Sequence, residues 1–463
     1  MHVSPMKLCK QSEISRLCRL RYPLLSLVYI SVLFYVFNNV IPHYSKLSRL
    51  KSTLQRNSDE QRVSHLLSFP NDRHCALMHA VQPRHSSATA SKSVPTEETT
   101  VTLVTVANLQ QIAALAQQAL HWQGPVSAAV FVPQPKQLRT IVSLLRRLQQ
   151  LDAAISTNVT LHLFWETASS STSDVRCSRL SELHIDEHTA TTDCESIECV
   201  QAALQWLANP TDDGRTTTMQ PMNIGRNVAR AGTLTKYELV ADVDLLACLR
   251  CSTMLSEFLQ QLNDTTALSA VFVVPVFEVD HRRSTTRRLP LTKQALRKWL
   301  AFGAAVPFHY HKHTRTCHAI PGYDDWIGPP TLTDAVREPN DTRPTVLTST
   351  RWMAPCWQPV FAARAAATPA FDNRFRAGGS RMQQAYEMCR AGFTFHILTN
   401  VFLIRRGIQY RTPDDQGRAQ RSGDVSERAL FQQFQRELDS IYPDTETTEH
   451  CDLTEDKTKT SRS

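Results

Sequence analysis

Between Val101 and Ala241 the apolar positions switch repeatedly between two periods. Val101 to Val106 is a β-rich run, and Leu109 to Leu120 follows with helical spacing, ending at Gly124-Pro125. Val126 to Val132 predicts a second strand, stopped by Pro133, and Gln137 to Leu151 predicts a second amphipathic helix. Val159 to Trp165 predicts a third strand. Strands alternating with helices predict a parallel α/β sheet joined by crossover helices. From Val175 to Met222 little periodicity remains, apart from a short helix near Ser196 to Ala208. Asn223 to Ala231 then predicts a helix ended by Gly232, and Tyr237 to Ala241 predicts another strand. Asp242-Val243-Asp244 stands at the carboxyl end of that strand. Open α/β sheets bind ligands there, outside the carboxyl ends of their strands.

The start of the chain follows a different pattern. Tyr22 to Val40 carries no charge and is rich in Leu, Val, Ile and Phe. About 20 such residues cross a bilayer as a helix. Lys7, Lys10, Arg16, Arg19 and Arg21 precede the run, which places the N-terminus in the cytosol and the rest in the lumen. The run ends in Phe37-Asn38-Asn39-Val40-Ile41-Pro42, a poor site for signal-peptide cleavage, so an uncleaved anchor is expected. The expected organisation is a cytosolic tail at 1–21, a transmembrane signal anchor at 22–41 and a polar stem at 42–100. A folded domain at 101–443 and a flexible polar tail at 444–463 complete it.

Composition narrows the function classes. Hydrophobic residues are 42% of the 463 and charged residues 20%, enough for a core and too apolar for a disordered chain. The net charge of +8 is spread in pairs such as Arg146-Arg147 and Arg405-Arg406, without a long basic block, which argues against nucleic acid. A mildly basic surface suits an anionic ligand. Of the 12 cysteines only Cys9 and Cys18 precede the apolar run, so the others would lie where disulfides persist. Cys194 and Cys199 are close in sequence, as are Cys248 and Cys251, but spacing does not set the pairing. Glycosylation sequons stand at Asn158, Asn263 and Asn340.

The strand-end acids carry the candidate chemistry. In extended backbone, residues two apart point the same way, so Asp242 and Asp244 can aim both carboxylates at one point. Hard divalent cations prefer oxygen ligands and bind diphosphates, so such a pair can hold a metal and, through it, a nucleotide diphosphate. The bland alternative is two exposed acids in a turn, where Asp is common anyway.

Further segments give the pair a context. Arg226-Asn227-Val228-Ala229-Arg230 and Tyr237 to Asp244 are followed by Val274-Pro275-Val276-Phe277-Glu278 and Pro307-Phe308-His309-Tyr310. Cys317-His318-Ala319, Phe371-Asp372-Asn373-Arg374-Phe375-Arg376 and Ala391-Gly392-Phe393-Thr394-Phe395 come next, then Phe402-Leu403 and Phe434 to Pro443. This ordered set resembles the β-1,4-glucuronyltransferase family, to which the second catalytic domain of the LARGE glycosyltransferases is similar. The resemblance implies a GT-A-type glycosyltransferase fold, a Rossmann-like mixed sheet flanked by helices, over 101–443. It implies an inverting transfer with Mn2+, in which glucuronic acid passes from UDP-glucuronic acid to β-linked xylose. The acceptor would be an O-mannosyl glycan of the α-dystroglycan type in the Golgi, with a LARGE-type transferase as a partner. By position, Asp242 and Asp244 would hold the metal and diphosphate, with Arg226 and Asn227 beside the nucleotide; Arg405 is a further candidate for the nucleotide sugar, although it departs from the family pattern. Arg226 also reads as an ordinary solvated helix residue.

Three departures from the family pattern shape the expectation. Where the family has a histidine suited to be a third metal ligand, this chain has Arg405 in Phe402 to Gly407. A guanidinium stays protonated and cannot ligate a metal, but it can neutralise a diphosphate directly. Where the family has a W-E-P run, this chain has Trp357-Gln358-Pro359, and Gln358 cannot act as a base. Gln358 and Asp372 are the candidate catalytic residues, with Asp372 also readable as a turn residue and the nearby Glu387 as a helix-face acid. Gly379-Ser380-Arg381-Met382 and Ala319-Ile320-Pro321-Gly322 depart in stretches expected to shape the sugar sites. Two alternatives follow: a catalytically weakened homologue that binds a glycan or partner, or a transferase with another UDP-sugar. His309, His311 and His313 with Cys317 and His318 could suggest zinc, or simply a His-rich loop in which Cys317, by the resemblance, is in a disulfide. Trp299, Trp326 and Trp352 read either as sugar platforms or as core.

Overall fold

A computed structural model describes residues 65–69, 74–84, 100–167, 177, 194–208, 220–262, 267–284, 288–312, 315–328, 343–353, 356–375, 380–411, 423–442 and 451. All of them belong to one compact unit, Glu60–Ser463. The expected anchor at 22–41 and the sequons at Asn263 and Asn340 lie outside the described residues. Among the described residues no helix is long and apolar enough to cross a membrane.

The strands, in chain order, are β1 His65–Phe69, β2 His74–Val81, β3 Val101–Asn108, β4 Val126–Phe131, β5 Val159–Glu166, β6 Tyr237–Val240 and β7 Leu245–Ala247. They continue as β8 Ala270–Val273, β9 Val276–Val279, β10 Ala305–Pro307, β11 Val346–Thr350, β12 Phe361–Arg364, β13 Thr394–Leu398 and β14 Leu403–Arg406. Ten form one sheet in the order β1-β2-β5-β4-β3-β6-β12-β8-β13-β11, and four form a second sheet, β10-β9-β14-β7. The expected parallel unit is present: β3, β4, β5 and β6 run parallel. The full sheet is mixed, because β12 runs antiparallel to both β6 and β8.

The parallel strands read as unbroken apolar runs because both faces are covered. Along β4, Val126, Ala128 and Val130 enter the main core cluster, while Ala129 and Phe131 enter another. Helices Ile112–Trp122 and Leu138–Leu151 contribute to the first cluster, and helix Met222–Ala231 to the other. Gly225 lets that last helix come close: a Cβ there would stand 2.6 Å from Val106 Cγ1 and 2.8 Å from Phe164 Cζ. Trp326 and Trp352 are buried and Trp299 packs against the core, so all three are packing residues.

The expected stem needs correction at its middle. His65–Phe69 and His74–Val81 form β1 and β2 at the sheet edge, with β2 antiparallel to β5. The short apolar stretch in His74–Val81 is almost wholly buried, and Cys75 is bonded to Cys177. The polar residues on either side mask that strand in a reading of the sequence. Three other disulfides are described, Cys194–Cys199, Cys317–Cys356 and Cys389–Cys451, while Cys248 and Cys251 are buried thiols; the last bridge corrects the expected flexible tail, since it ties the buried Cys451 to helix Ser380–Arg390.

Candidate active site

The chain leaves the large sheet at Val240 and enters the small one at Leu245, and Asp242 and Asp244 lie in the turn between. Backbone and side chains fix this turn. Ala241 N donates to Val104 O, and Leu245 N to Asp242 O, each at 3.0 Å. Gln118, buried on helix Ile112–Trp122, donates its amide to Asp242 O at 2.7 Å and to Leu245 O at 3.0 Å. The carboxylates themselves remain about two-fifths exposed, at 38% and 41%.

Three guanidiniums converge on them. Arg226, from helix Met222–Ala231, reaches Asp242 Oδ1 at 3.2 Å and is braced by Asn223 Oδ1 at 3.1 Å. Arg381, from helix Ser380–Arg390, reaches the same oxygen at 2.6 Å and also donates to Val240 O at 3.0 Å. Arg405 Nε reaches Asp244 Oδ2 at 2.8 Å. Strand register explains the last contact, since Arg405 pairs with Leu245, the neighbour of Asp244, in the antiparallel β14–β7 ladder. Partial burial opposes ionisation of Asp242, but Arg381 and Arg226 outweigh it and hold the carboxyl well below the usual carboxylate range. Burial pushes the Asp244 carboxyl up, and Arg405 only partly offsets this. Burial, with Arg381 beside it, brings Arg226 down to about 10.

Behind Arg405 stands a histidine relay. Arg405 Nη1 lies 3.1 Å from His309 Nε2, and His309 Nδ1 lies 3.2 Å from His318 Nε2. A guanidinium can only donate, so His309 accepts at Nε2 and carries its proton on Nδ1, which donates to His318. His309 holds a left-handed backbone, φ 55°, and stacks on Phe308 at 3.9 Å. Of the residues of the zinc alternative, Cys317 is bonded to Cys356 and His309 is engaged by Arg405, while His313 lies outside the described residues. Among the described residues no three His, Cys, Asp or Glu side chains converge as a metal set.

The other sequence candidates have separate tasks. Asn227 clamps the loop at 371–373: its amide donates to Phe371 O at 2.7 Å, and its oxygen accepts from Phe371 N at 3.0 Å. Asp372 caps that loop, accepting from Arg374 Nη2 at 2.6 Å, and Arg374 in turn reaches Glu437 at 2.6 Å. Gln358 is half-buried and tied through its backbone N–H to Cys317 O at 3.0 Å. Asn158 ends helix Ala153–Asn158. Arg381 and Gln118 were not singled out from the sequence. The only signal for Arg381 was its place in the shortened Gly379 to Met382 stretch, and Gln118 gave none beyond a polar residue on an apolar helix face.

The profile of the family described as "Glycosyl-transferase for dystroglycan" matches residues 100–443. The chain belongs to this family. It is therefore a glycosyltransferase. β-1,4-Glucuronyltransferase 1 of Mus musculus is 30% identical over 354 residues, covering 74% of this chain and 76% of that one. The Bos taurus protein of the same name is 28% identical over 360 residues, covering 76% and 77%. LARGE2s of Gallus gallus, a xylosyl- and glucuronyltransferase, is 28% identical over 188 residues, covering 40% of this chain and 22% of that one. Among solved structures, GalNAc-T7 with UDP, GalNAc and Mn2+ superposes with a TM-score of 0.31 at 9% identity, covering 74% and 58%, too slight a likeness to argue from.

The divalent metal that the resemblance implies meets a donor set that does not suit it. One oxygen of each carboxylate, Asp242 Oδ1 and Asp244 Oδ2, is already bonded to a guanidinium, and where the resemblance implies a third, late-strand ligand stands Arg405, which cannot bind a cation. The side chains present do not fit a metal in this arrangement.

Proposed function

We propose that this glycosyltransferase has a GT-A-type fold and transfers glucuronic acid from UDP-glucuronic acid to a β-linked xylose. The acceptor is a xylose-terminated O-mannosyl glycan on a glycoprotein. The reading places the protein in the Golgi as a single-pass type II membrane protein with its catalytic domain in the lumen, beside a LARGE-type transferase. The single observation that carries it is the likeness to β-1,4-glucuronyltransferase 1 over most of both chains, with Asp242-Val243-Asp244 inside the matched region. In the step itself, the acceptor hydroxyl oxygen bonds to the anomeric carbon. The bond to the β-phosphate oxygen breaks, its electron pair leaves with UDP, and the hydroxyl proton passes to a base or to water. Inversion follows from a single displacement.

The test is a panel of UDP-sugars offered to the full-length chain, with and without a β-xyloside. Transfer of glucuronic acid only when the xyloside is present supports the reading. Transfer of a different sugar replaces the donor, and UDP binding without any transfer supports a second reading. That second reading is a homologue that binds a glycan or partner without turnover. The observation favouring it is Gln358, which stands where the family has a glutamate and cannot take a proton.

A further inference from the structure

We propose that Arg226, Arg381 and Arg405 form a metal-free cradle for the diphosphate of a nucleotide sugar. The proposal rests on the glycosyltransferase reading and specifies how that site holds its donor. Three guanidiniums meet two carboxylates at the turn itself, with the buried Glu278 carboxyl in register with Arg405 on the neighbouring strand as a third acid. A carboxylate pair that has captured one divalent cation is neutral, so the arginines supply at least as much positive field as the metal would. A divalent cation bound through the remaining oxygens of Asp242 and Asp244 would sit beside three guanidiniums, among like charges.

The arginines are also built for the task. Their side chains are only 6%, 11% and 23% exposed, so their positions are set before a ligand arrives. They come from a helix behind the sheet, a helix late in the chain and a strand of the second sheet, and therefore approach the turn from separate directions. Among the described residues Arg381 Nε is buried with no acceptor. Planar guanidiniums match phosphate oxygens with paired, charge-assisted hydrogen bonds. In this arrangement Asp242 and Asp244 are positioning residues: they orient the arginines and are not metal ligands. His309 holds Arg405 from behind.

Titration calorimetry of the full-length chain with UDP tests this, once in excess EDTA and once in manganese. The expected result is binding in EDTA within about threefold of that in manganese, and Arg405→Ala weakening it by about tenfold or more in both. Arg405→Lys, which keeps the charge but loses the fork, should fall between the two. Arg405→His should gain a manganese requirement that the native chain lacks. Binding abolished by EDTA and restored by manganese in the native chain overturns the cradle and leaves the glycosyltransferase reading intact, and this comparison needs no variant to fold. Unchanged affinity in a folded Arg405→Ala protein also overturns it. No UDP binding under either condition overturns the donor reading itself, and the cradle with it.

Discussion

Gln118 lies 124 residues before Asp242, yet its amide spans two carbonyls of the turn that holds both aspartates. Gln118→Leu keeps the apolar packing but removes the amide from both carbonyls, leaving Asp242 O only the N–H of Leu245, at a cost of about 1–3 kcal/mol. Because Gln118 touches no reacting group, the expected outcome is a turnover loss of roughly tenfold with normal secondary structure, as expected for misplaced catalytic geometry. Steady-state kinetics beside circular dichroism would read both. Arg230 offers a contrast at the same scale. It is buried, bonded to Glu238 at 2.6 Å and to Thr368 Oγ1 at 2.6 Å. Arg230→Met strands the Glu238 carboxylate in the core, and denaturant melts should show a loss of about 3–5 kcal/mol. Asp242, Asp244 and Arg405 could be placed from the sequence because each sits at the end of, or within, an apolar strand. Arg381 and Gln118 could not, because their partners are distant in the chain and no local pattern marks them.

Elements with a long single period were legible: β3 to β6 and the helices between them follow the expected order and parallel sense. The second sheet was not, because β7 and β10 are only three residues long and give no periodicity to read. That sheet carries Arg405, legible by itself, but the pairing that sets it beside Asp244 and the entry to His309 was not legible. Helix Met222–Ala231 depends on contact at Gly225. Gly225→Ala should push against Val106 and Phe164, lower stability by about 1–3 kcal/mol through overpacking and tilt Arg226 away from Asp242. Chemical denaturation measures the first effect and UDP affinity the second. Loss of stability with unchanged UDP affinity would separate the helix's packing from its role at the turn.

Across the whole molecule, helices Ser380–Arg390 and Gly423–Ile441 pack against the far part of the large sheet. Glu387 lies in that region, and burial, together with Asp372, raises its carboxyl from 4.5 to about 7. The folded chain therefore keeps a proton that the unfolded chain has lost between those values. Stability contributed by this group is complete below about 4.5 and is lost as pH rises through about 7. Melting curves across that window should slope downward, and Glu387→Gln should flatten the slope. Cys389–Cys451 closes a span of 62 residues over the same region, and its removal should cost about 4 kcal/mol by chain entropy.

A different consequence follows from Cys317–Cys356. Cys317 adjoins His318, which supports His309 and through it Arg405, while Cys356 adjoins Trp357, whose indole donates to Ala319 O at 3.0 Å. One sulfur bridge thus fastens the wall that the third arginine leans on. A copy made where thiols stay reduced would carry every residue of the site but lack that fastening.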